Sequence, residues 1–248
     1  MQNKYRGTLV QNKASIIIGF ASFLLMTAPM QATPVGTLSL ANCSGGGVIV
    51  TATTIDWTLP VGGGNGCIQT GVLTNVSYGS GSNLGAGVQG TIIDLTGGLP
   101  VANFLTFAGA PGLHFDLLQL GPSVSNTNCA ALTLGQSCSA VVGSPFLLTL
   151  SSLTSSTVSL QAAGTAGDSV SSSSIWSGGF TTQIANMTPA QIQAAISTPG
   201  GSVASTYSGD FRVTIVGGVS TVPEPGTAML FGTGILLISM RLIKRINS

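Results

Sequence analysis

The sequence predicts an all-β fold: a single sandwich or jelly-roll-like domain with one short helix, flanked by an N-terminal signal helix and a C-terminal transmembrane helix. Three observations lead to this expectation. Short segments rich in β-branched residues recur throughout residues 33–221, clusters of Gly, Pro, Asn or Ser separate many of them, and long apolar runs occur at the two ends. A β-solenoid is the alternative, but no repeat of fixed period supports it.

The central region, residues 33–221, is predicted to be one exported β-rich domain because no run of Pro or of charge marks a linker inside it. Even the Ser-rich stretch 151–174 contains a strand pattern, since residues 157–162 alternate in polarity with a period of two. The predicted strands are residues 48–54, 68–78, 91–95, 102–108, 113–120, 146–150, 157–162, 174–181 and 211–216.

The one helix is predicted to begin after a capping box. The Thr188 hydroxyl can accept from the amide of Gln191, whose side chain reaches back, and Pro189 occupies the first helical position. Ile192 and Ile196 then share a face, which we expect to pack on the sheet. A Pro-Gly-Gly sequence at residues 199–201 ends the helix.

The N-terminus has the pattern of a secretory signal peptide, assigned to residues 1–32. Three basic residues precede an apolar run over residues 14–26, which is too short to cross a bilayer comfortably. The predicted cleavage is after Ala32, although Met30 at the −3 position is bulkier than the preferred small residue. An uncleaved anchor or a buried core helix is the alternative.

The C-terminus, residues 222–248, has three parts in a fixed order. A short motif, Val222, Pro223, Glu224 and Pro225, is followed by an uncharged apolar stretch and then by three basic residues, Arg241, Lys244 and Arg245. The predicted transmembrane helix covers residues 226–243, a length that suits a thin bilayer. Because positive charge stays in the cytoplasm, we expect an inner-membrane anchor with the body facing the periplasm.

This tripartite tail resembles a PEP-CTERM sorting signal, and the resemblance is confined to residues 222–248. It implies a Gram-negative bacterium that makes exopolysaccharide. It also implies an exosortase-type membrane protease as the partner, cleavage near the Pro-Glu-Pro motif, and transfer of the body to the outer surface or the extracellular matrix. A plain single-pass anchor is the alternative, in which the membrane attachment is permanent.

The four cysteines are typical of an oxidising compartment. The most local of the three possible pairings joins Cys43 to Cys67 and Cys129 to Cys138. A zinc site is the rival, but the chain has no CxxC spacing and only one His. We therefore expect two disulfides, no bound metal and no cofactor.

Charge is scarce, since Asp, Glu, Lys and Arg together make up 5% of the chain. Most of the cations lie in the two ends, and the central domain contains five Asp and Arg212. This composition argues against nucleic-acid binding, which needs clustered Lys and Arg. It also argues against catalysis, which usually draws on titratable side chains.

Two sequence motifs resemble functional sites but lack the context that such sites need. Residues 85–90 match the dinucleotide pattern G-x-G-x-x-G, but a strand rather than a helix is predicted to follow. His114 and Asp116 lie two residues apart, on one face of a predicted strand, without a recognisable nucleophile or a third metal ligand. An ordinary turn and a hydrogen-bonded histidine are the expected outcomes.

The sequence thus predicts a non-enzymatic cell-envelope or exopolysaccharide-matrix protein, sorted through its C-terminal tail. The alternative is a carbohydrate-binding or adhesive module in which Trp57 or Trp176 stacks on sugars, or an exposed Thr-rich face contacts them. An extracellular hydrolase that uses His114 or Asp residues is the third possibility.

Overall fold

The structure is a computed structural model that describes residues 32–59, 64–121, 124–168 and 174–216. Within these ranges the chain forms fifteen strands, one α-helix and a single 3₁₀ turn at Cys129–Ala131. The helix, α1, is Pro189–Ser197. The strands, in chain order, are β1 (Ala32–Asn42), β2 (Gly47–Val50), β3 (Ile55–Thr58), β4 (Gly66–Thr70), β5 (Asn75–Gly79), β6 (Ser82–Leu84), β7 (Gln89–Ile92), β8 (Val101–Phe107), β9 (His114–Leu120), β10 (Ser137–Ser139), β11 (Phe146–Ser152), β12 (Ser155–Gly167), β13 (Ser174–Ile184), β14 (Val203–Ser205) and β15 (Ser208–Ile215).

Eight strands form a closed, barrel-like antiparallel sheet in the order β12, β13, β15, β1, β4, β7, β8, β9. The closing pair is β9 with β12, in which Gly167 lies opposite His114 and Ala162 lies opposite Leu120. Closure leaves no free edge between these strands, so their backbone N–H and C=O groups can be paired around the ring.

The closed sheet is extended by two more strands, and a second, smaller sheet and the helix pack beside that extension. Strands β10 and β11 continue from the first half of β12, which is long enough to pair with β11 at its start and with β9 at its end. A separate sheet of β14, β2 and β3 and the helix α1 pack beside this extension. The capping box at Thr188 is present, as the sequence predicts, and Ile192 and Ile196 are buried.

The core of the closed sheet is aromatic. Trp57, Phe104, Phe115, Trp176 and Phe180 are all buried, and most of their ring contacts are edge-on or tilted. A second, smaller apolar cluster contains the buried face of α1 together with Cys129 and Cys138. Inward and outward residues alternate along the strands, as expected for a sheet with one buried face.

The predicted all-β class with one short helix is confirmed, but the main sheet closes on itself instead of forming an open sandwich or jelly roll. The reason is physical: a strand that is half-buried in a sandwich and one in a closed sheet have the same period-two pattern. Only long-range pairing, here between β9 and β12, distinguishes them.

Several strand boundaries also differ from the prediction. Residues 68–78 form two strands, β4 and β5, which run along β1 on either side of an outward excursion at residues 71–74. Strand β1 was not predicted, because Pro34 and Gly36 interrupt its apolar pattern. In the structure, Gly36 has a φ of 141°, and a Cβ there would overlap the carbonyl oxygen of Asn75.

The predicted signal peptide and sorting tail lie outside the described residues, apart from Ala32 at the start of β1. In the part of the chain that the structure describes, no helix is long and apolar enough to cross a membrane.

Candidate functional site

The two ends of the described chain lie side by side. Strands β1 and β15 are antiparallel neighbours, with Gly36 opposite Val213, so the start of β1 is next to the end of β15. The predicted cleavage after Ala32 falls at the first residue of β1 and would leave the rest of that strand in place. The predicted motif begins seven residues after Ile215, the end of β15. The predicted signal peptide and the sorting motif therefore join the described chain at the same end of the closed sheet.

Both predicted disulfides are formed. Cys43 pairs with Cys67 at a Cα–Cα distance of 5.5 Å, and Cys129 pairs with Cys138 at 5.4 Å. The first bond joins the end of β1 to β4, where the Cys43 amide also donates to the carbonyl of Cys67. The second ties the 3₁₀ turn to β10. All four cysteines are therefore in disulfide bonds and none is free.

Neither tryptophan can serve as an exposed sugar platform. Trp57 is 2% exposed and Trp176 is 1% exposed. Trp176 donates through Nε1 to the carbonyls of Asp116 and Thr165, at 3.0 and 3.1 Å. The stacking hypothesis is wrong because both rings are packed in the main hydrophobic core, as large aromatic side chains usually are.

His114 and Asp116 lie on β9, two residues apart as expected, but each contacts backbone. His114 Nδ1 is 2.9 Å from the carbonyl oxygen of Gly112, and Asp116 accepts from the amide of Asn103 at 2.7 Å. Within the described ranges, no group of three His, Cys, Asp or Glu side chains is placed to hold a metal ion. The geometry gives these two residues a role in holding loops and strands together.

The glycine motif at residues 85–90 comprises the connection between β6 and β7 and the first two residues of β7. Because a strand follows it, as predicted, the loop lacks the helix N-terminus that binds a pyrophosphate. An ordinary turn is what the structure shows.

One carboxylate, Asp94, has a perturbed environment. Partial burial raises the pKa of Asp94, a hydrogen bond from the Trp57 amide at 2.8 Å opposes this, and the nearby charge of Asp56 adds to it. Burial likewise raises the pKa of Tyr207, whose hydroxyl donates to the carbonyl of Cys67 at 3.4 Å. The hydrogen-bond partners of Asp94 and Tyr207 are backbone groups, and these bonds connect the two sheets. We therefore attribute the raised pKa values of Asp94 and Tyr207 to their structural roles.

The structure brings together a pair of charges that the sequence did not single out. Asp210 and Arg212 are exposed on the outer face of β15, beside Thr37 and Ser39 of β1. They line a groove with a volume of about 530 Å³. The only sequence signal was the spacing of two between the charges, and the predicted strand began at residue 211, which left Asp210 outside it.

The comparison with protein families gives one match. The model of the PEP-CTERM protein-sorting motif matches residues 221–245, which include the Pro-Glu-Pro residues and all three basic residues of the tail. The search of curated proteins and the search of solved structures gave no significant match.

Proposed function

We propose that this chain, which ends in a PEP-CTERM sorting motif, is a non-catalytic cell-envelope or exopolysaccharide-matrix protein of a Gram-negative bacterium. The match at residues 221–245 is the observation that carries the proposal. The motif implies an exported surface protein that is processed by exosortase, a membrane protein.

The route of export is part of the proposal. The signal peptide 1–32 brings the chain to the inner membrane and is cleaved after Ala32. The predicted transmembrane segment 226–243 then holds the body in the periplasm, with Arg241, Lys244 and Arg245 in the cytoplasm. The adjacent positions of the start of β1 and the end of β15 support this route. The same end of the body then faces the membrane while the signal peptide is attached and while the C-terminal segment is the anchor.

The chemistry of the motif supports recognition by a membrane enzyme. Pro223 and Pro225 restrict φ to near −65° and lack an amide donor. Val222 and Glu224 each precede a proline and are therefore biased towards extended geometry. From the sequence we therefore expect the motif to present one carboxylate, Glu224, on a stiff, extended segment at the membrane surface.

The absence of catalysis is proposed on two grounds. Titratable side chains are scarce in the whole chain, and the one His makes its contact with backbone. No observation favours the hydrolase.

The test is to replace Glu224 with Ala in the full chain, in a host that carries an exosortase. We expect export to continue and tail removal to stop, because the carboxylate is lost while both prolines remain. Cell fractionation and the intact mass of the protein measure the two steps separately. Asp56→Ala, which removes an exposed carboxylate from the body, is the control and should be processed normally. If the Glu224 variant lost its tail as the wild type does, that result would refute the sorting role.

A further inference from the structure

The groove beside Asp210 and Arg212 lies between the outer face of the closed sheet and the excursion at residues 71–74. Its floor consists of residues of three adjacent strands, β1, β15 and β13, some of which face outward while Leu38 and Phe211 are buried. Its wall is Leu73, which is 69% exposed. The groove is therefore a depression in the sheet surface whose exposed lining is mainly apolar, with a few polar groups in its floor.

The wall is held rigidly to the floor. Gly71 donates its amide to the carbonyl of Ser39 at 2.8 Å, and the hydroxyl of Thr37 donates to the carbonyl of Leu73 at 2.8 Å. The hydroxyl of Thr74 also exchanges hydrogen bonds with the backbone of Ser39. Because these bonds form on both sides of Leu73, the shape of the groove exists before any ligand arrives, which lowers the entropic cost of binding.

The floor concentrates the scarce charge of the domain. Asp210 lies opposite Ser39 and Gly179, and Arg212 lies opposite Thr37 and Ser177. Within the described ranges, neither charged side chain makes a hydrogen bond or an ion pair, although only one residue separates them along β15. A carboxylate that can only accept hydrogen bonds and a guanidinium that can only donate them are therefore both available to a ligand on the same surface.

Hydroxyl groups complete the floor. The side chains of Ser39 and Ser177 make no hydrogen bond to the described part of the chain, so they too can donate or accept. Gly179, opposite Asp210, contributes no side chain, and the amide group of Gln161 lies against it. The groove thus offers donors, acceptors and one apolar wall, with little net charge.

We propose that this groove binds a segment of a neutral, hydroxyl-rich glycan. Adjacent sugar hydroxyls both donate and accept, so one pair can bond to the Asp210 carboxylate and a neighbouring pair to the Arg212 guanidinium. The apolar C–H face of the sugar ring then packs against Leu73. An acidic glycan fits less well, because Asp210 would repel the anion that Arg212 attracts.

This inference deepens the proposed function, since an exported surface protein meets glycans outside the cell. It concerns binding by the folded body, whereas the sorting test measures removal of the tail. A failure of one experiment therefore leaves the other interpretable.

The experiment titrates the full chain with defined oligosaccharides by isothermal calorimetry. Cellohexaose, maltohexaose and isomaltohexaose are the neutral probes, and hexagalacturonate is the acidic one. The chain is kept in lauryldimethylamine oxide, since a detergent with a sugar headgroup would compete for the groove. We expect saturable binding of at least one neutral probe, stronger than that of the acidic probe.

Three variants locate the binding. Asp210→Asn and Arg212→Gln should each weaken it about tenfold or more, because each removes a charge-assisted hydrogen bond. Asp56→Asn removes the same charge from an exposed position on β3 and should change the affinity less than about twofold. Both groove residues are exposed, so the melting temperatures of the variants should stay close to that of the wild type.

Three results would overturn the assignment. The first is the absence of saturable binding to all three neutral probes. The second is tighter binding of hexagalacturonate that depends on Arg212 and not on Asp210, which indicates an anion site. The third is self-association in sedimentation experiments that the groove variants abolish while the titrations stay flat, which indicates an interface between copies of this chain.

Discussion

Trp57 and Trp176 occupy the same aromatic core but differ in the state of their indole N–H groups. Trp176 donates to two carbonyl oxygens, those of Asp116 and Thr165. Trp57 Nε1 is buried and has no hydrogen-bond partner among the described residues. A buried donor without a partner carries a desolvation cost that a satisfied donor does not. The two positions should therefore respond differently to loss of the N–H.

Replacing each tryptophan with Phe tests this difference. Both changes remove similar volume, but Trp176→Phe also leaves two carbonyl oxygens short of a donor. We expect Trp176→Phe to lower the free energy of unfolding by about 1–3 kcal/mol more than Trp57→Phe does. Chemical denaturation measures both values, and equal losses would contradict the assigned hydrogen-bond roles.

At the scale of elements, the two disulfides close loops of different length. Cys43 and Cys67 are separated by 24 residues, whereas Cys129 and Cys138 are separated by 9. A cross-link that closes a longer loop removes more conformational entropy from the unfolded chain. The bond between β1 and β4 should therefore contribute more to stability than the bond between the 3₁₀ turn and β10.

Paired Cys→Ala substitutions test the two bonds separately. On the loop-entropy relation, we expect a loss of roughly 3.5 kcal/mol for the Cys43–Cys67 pair and roughly 2.5 kcal/mol for the Cys129–Cys138 pair. Denaturation under oxidising conditions gives each loss, and the same measurement with reductant is the control. If loss of the Cys129–Cys138 bond lowers the free energy of unfolding more than loss of the Cys43–Cys67 bond does, native packing around Cys129 and Cys138 outweighs the entropy of loop closure.

How well an element was predicted depends on how local its determinants are. The helix α1 begins where expected because its capping box, first-turn proline and buried face lie within nine residues of Thr188. Strand β1 lacks a continuous local pattern, and its conformation depends on distant partners. Residues 36–41 pair with β15, and the Pro34 carbonyl accepts from the buried hydroxyl of Ser174.

At the scale of the whole molecule, closure of the main sheet depends on close backbone approach between β9 and β12. Gly164 of β12 lies opposite Leu117 at an irregularity in this pair. A Cβ at Gly164 would overlap the carbonyl oxygen of Asp116 and crowd the Trp176 indole. Gly164 is therefore required because there is no room for a side chain at this position.

Substitution of Gly164 by Ala should open or distort this pairing. We expect a loss of about 3 kcal/mol in the free energy of unfolding, because backbone must move to accommodate the methyl group. Gly85→Ala is the matched control: no atom lies within 4 Å of its Cβ position, and the expected change is within about 0.5 kcal/mol. Thermal unfolding of both variants measures the difference, and a Gly164 variant as stable as the control would show that the sheet tolerates a wider gap.

The sequence by itself determined the all-β class, the capped helix, the local disulfide pairing and the sorting tail, because each depends on residues that are close together along the chain or on a short ordered pattern. Tertiary structure alone decided that the main sheet closes, that both tryptophans are buried, and that Asp210 and Arg212 share a groove with β1. These features arise from pairing between strands far apart in sequence, such as β1 with β15 and β9 with β12. A period-two pattern specifies which face of a strand is buried, but it does not specify the neighbouring strand.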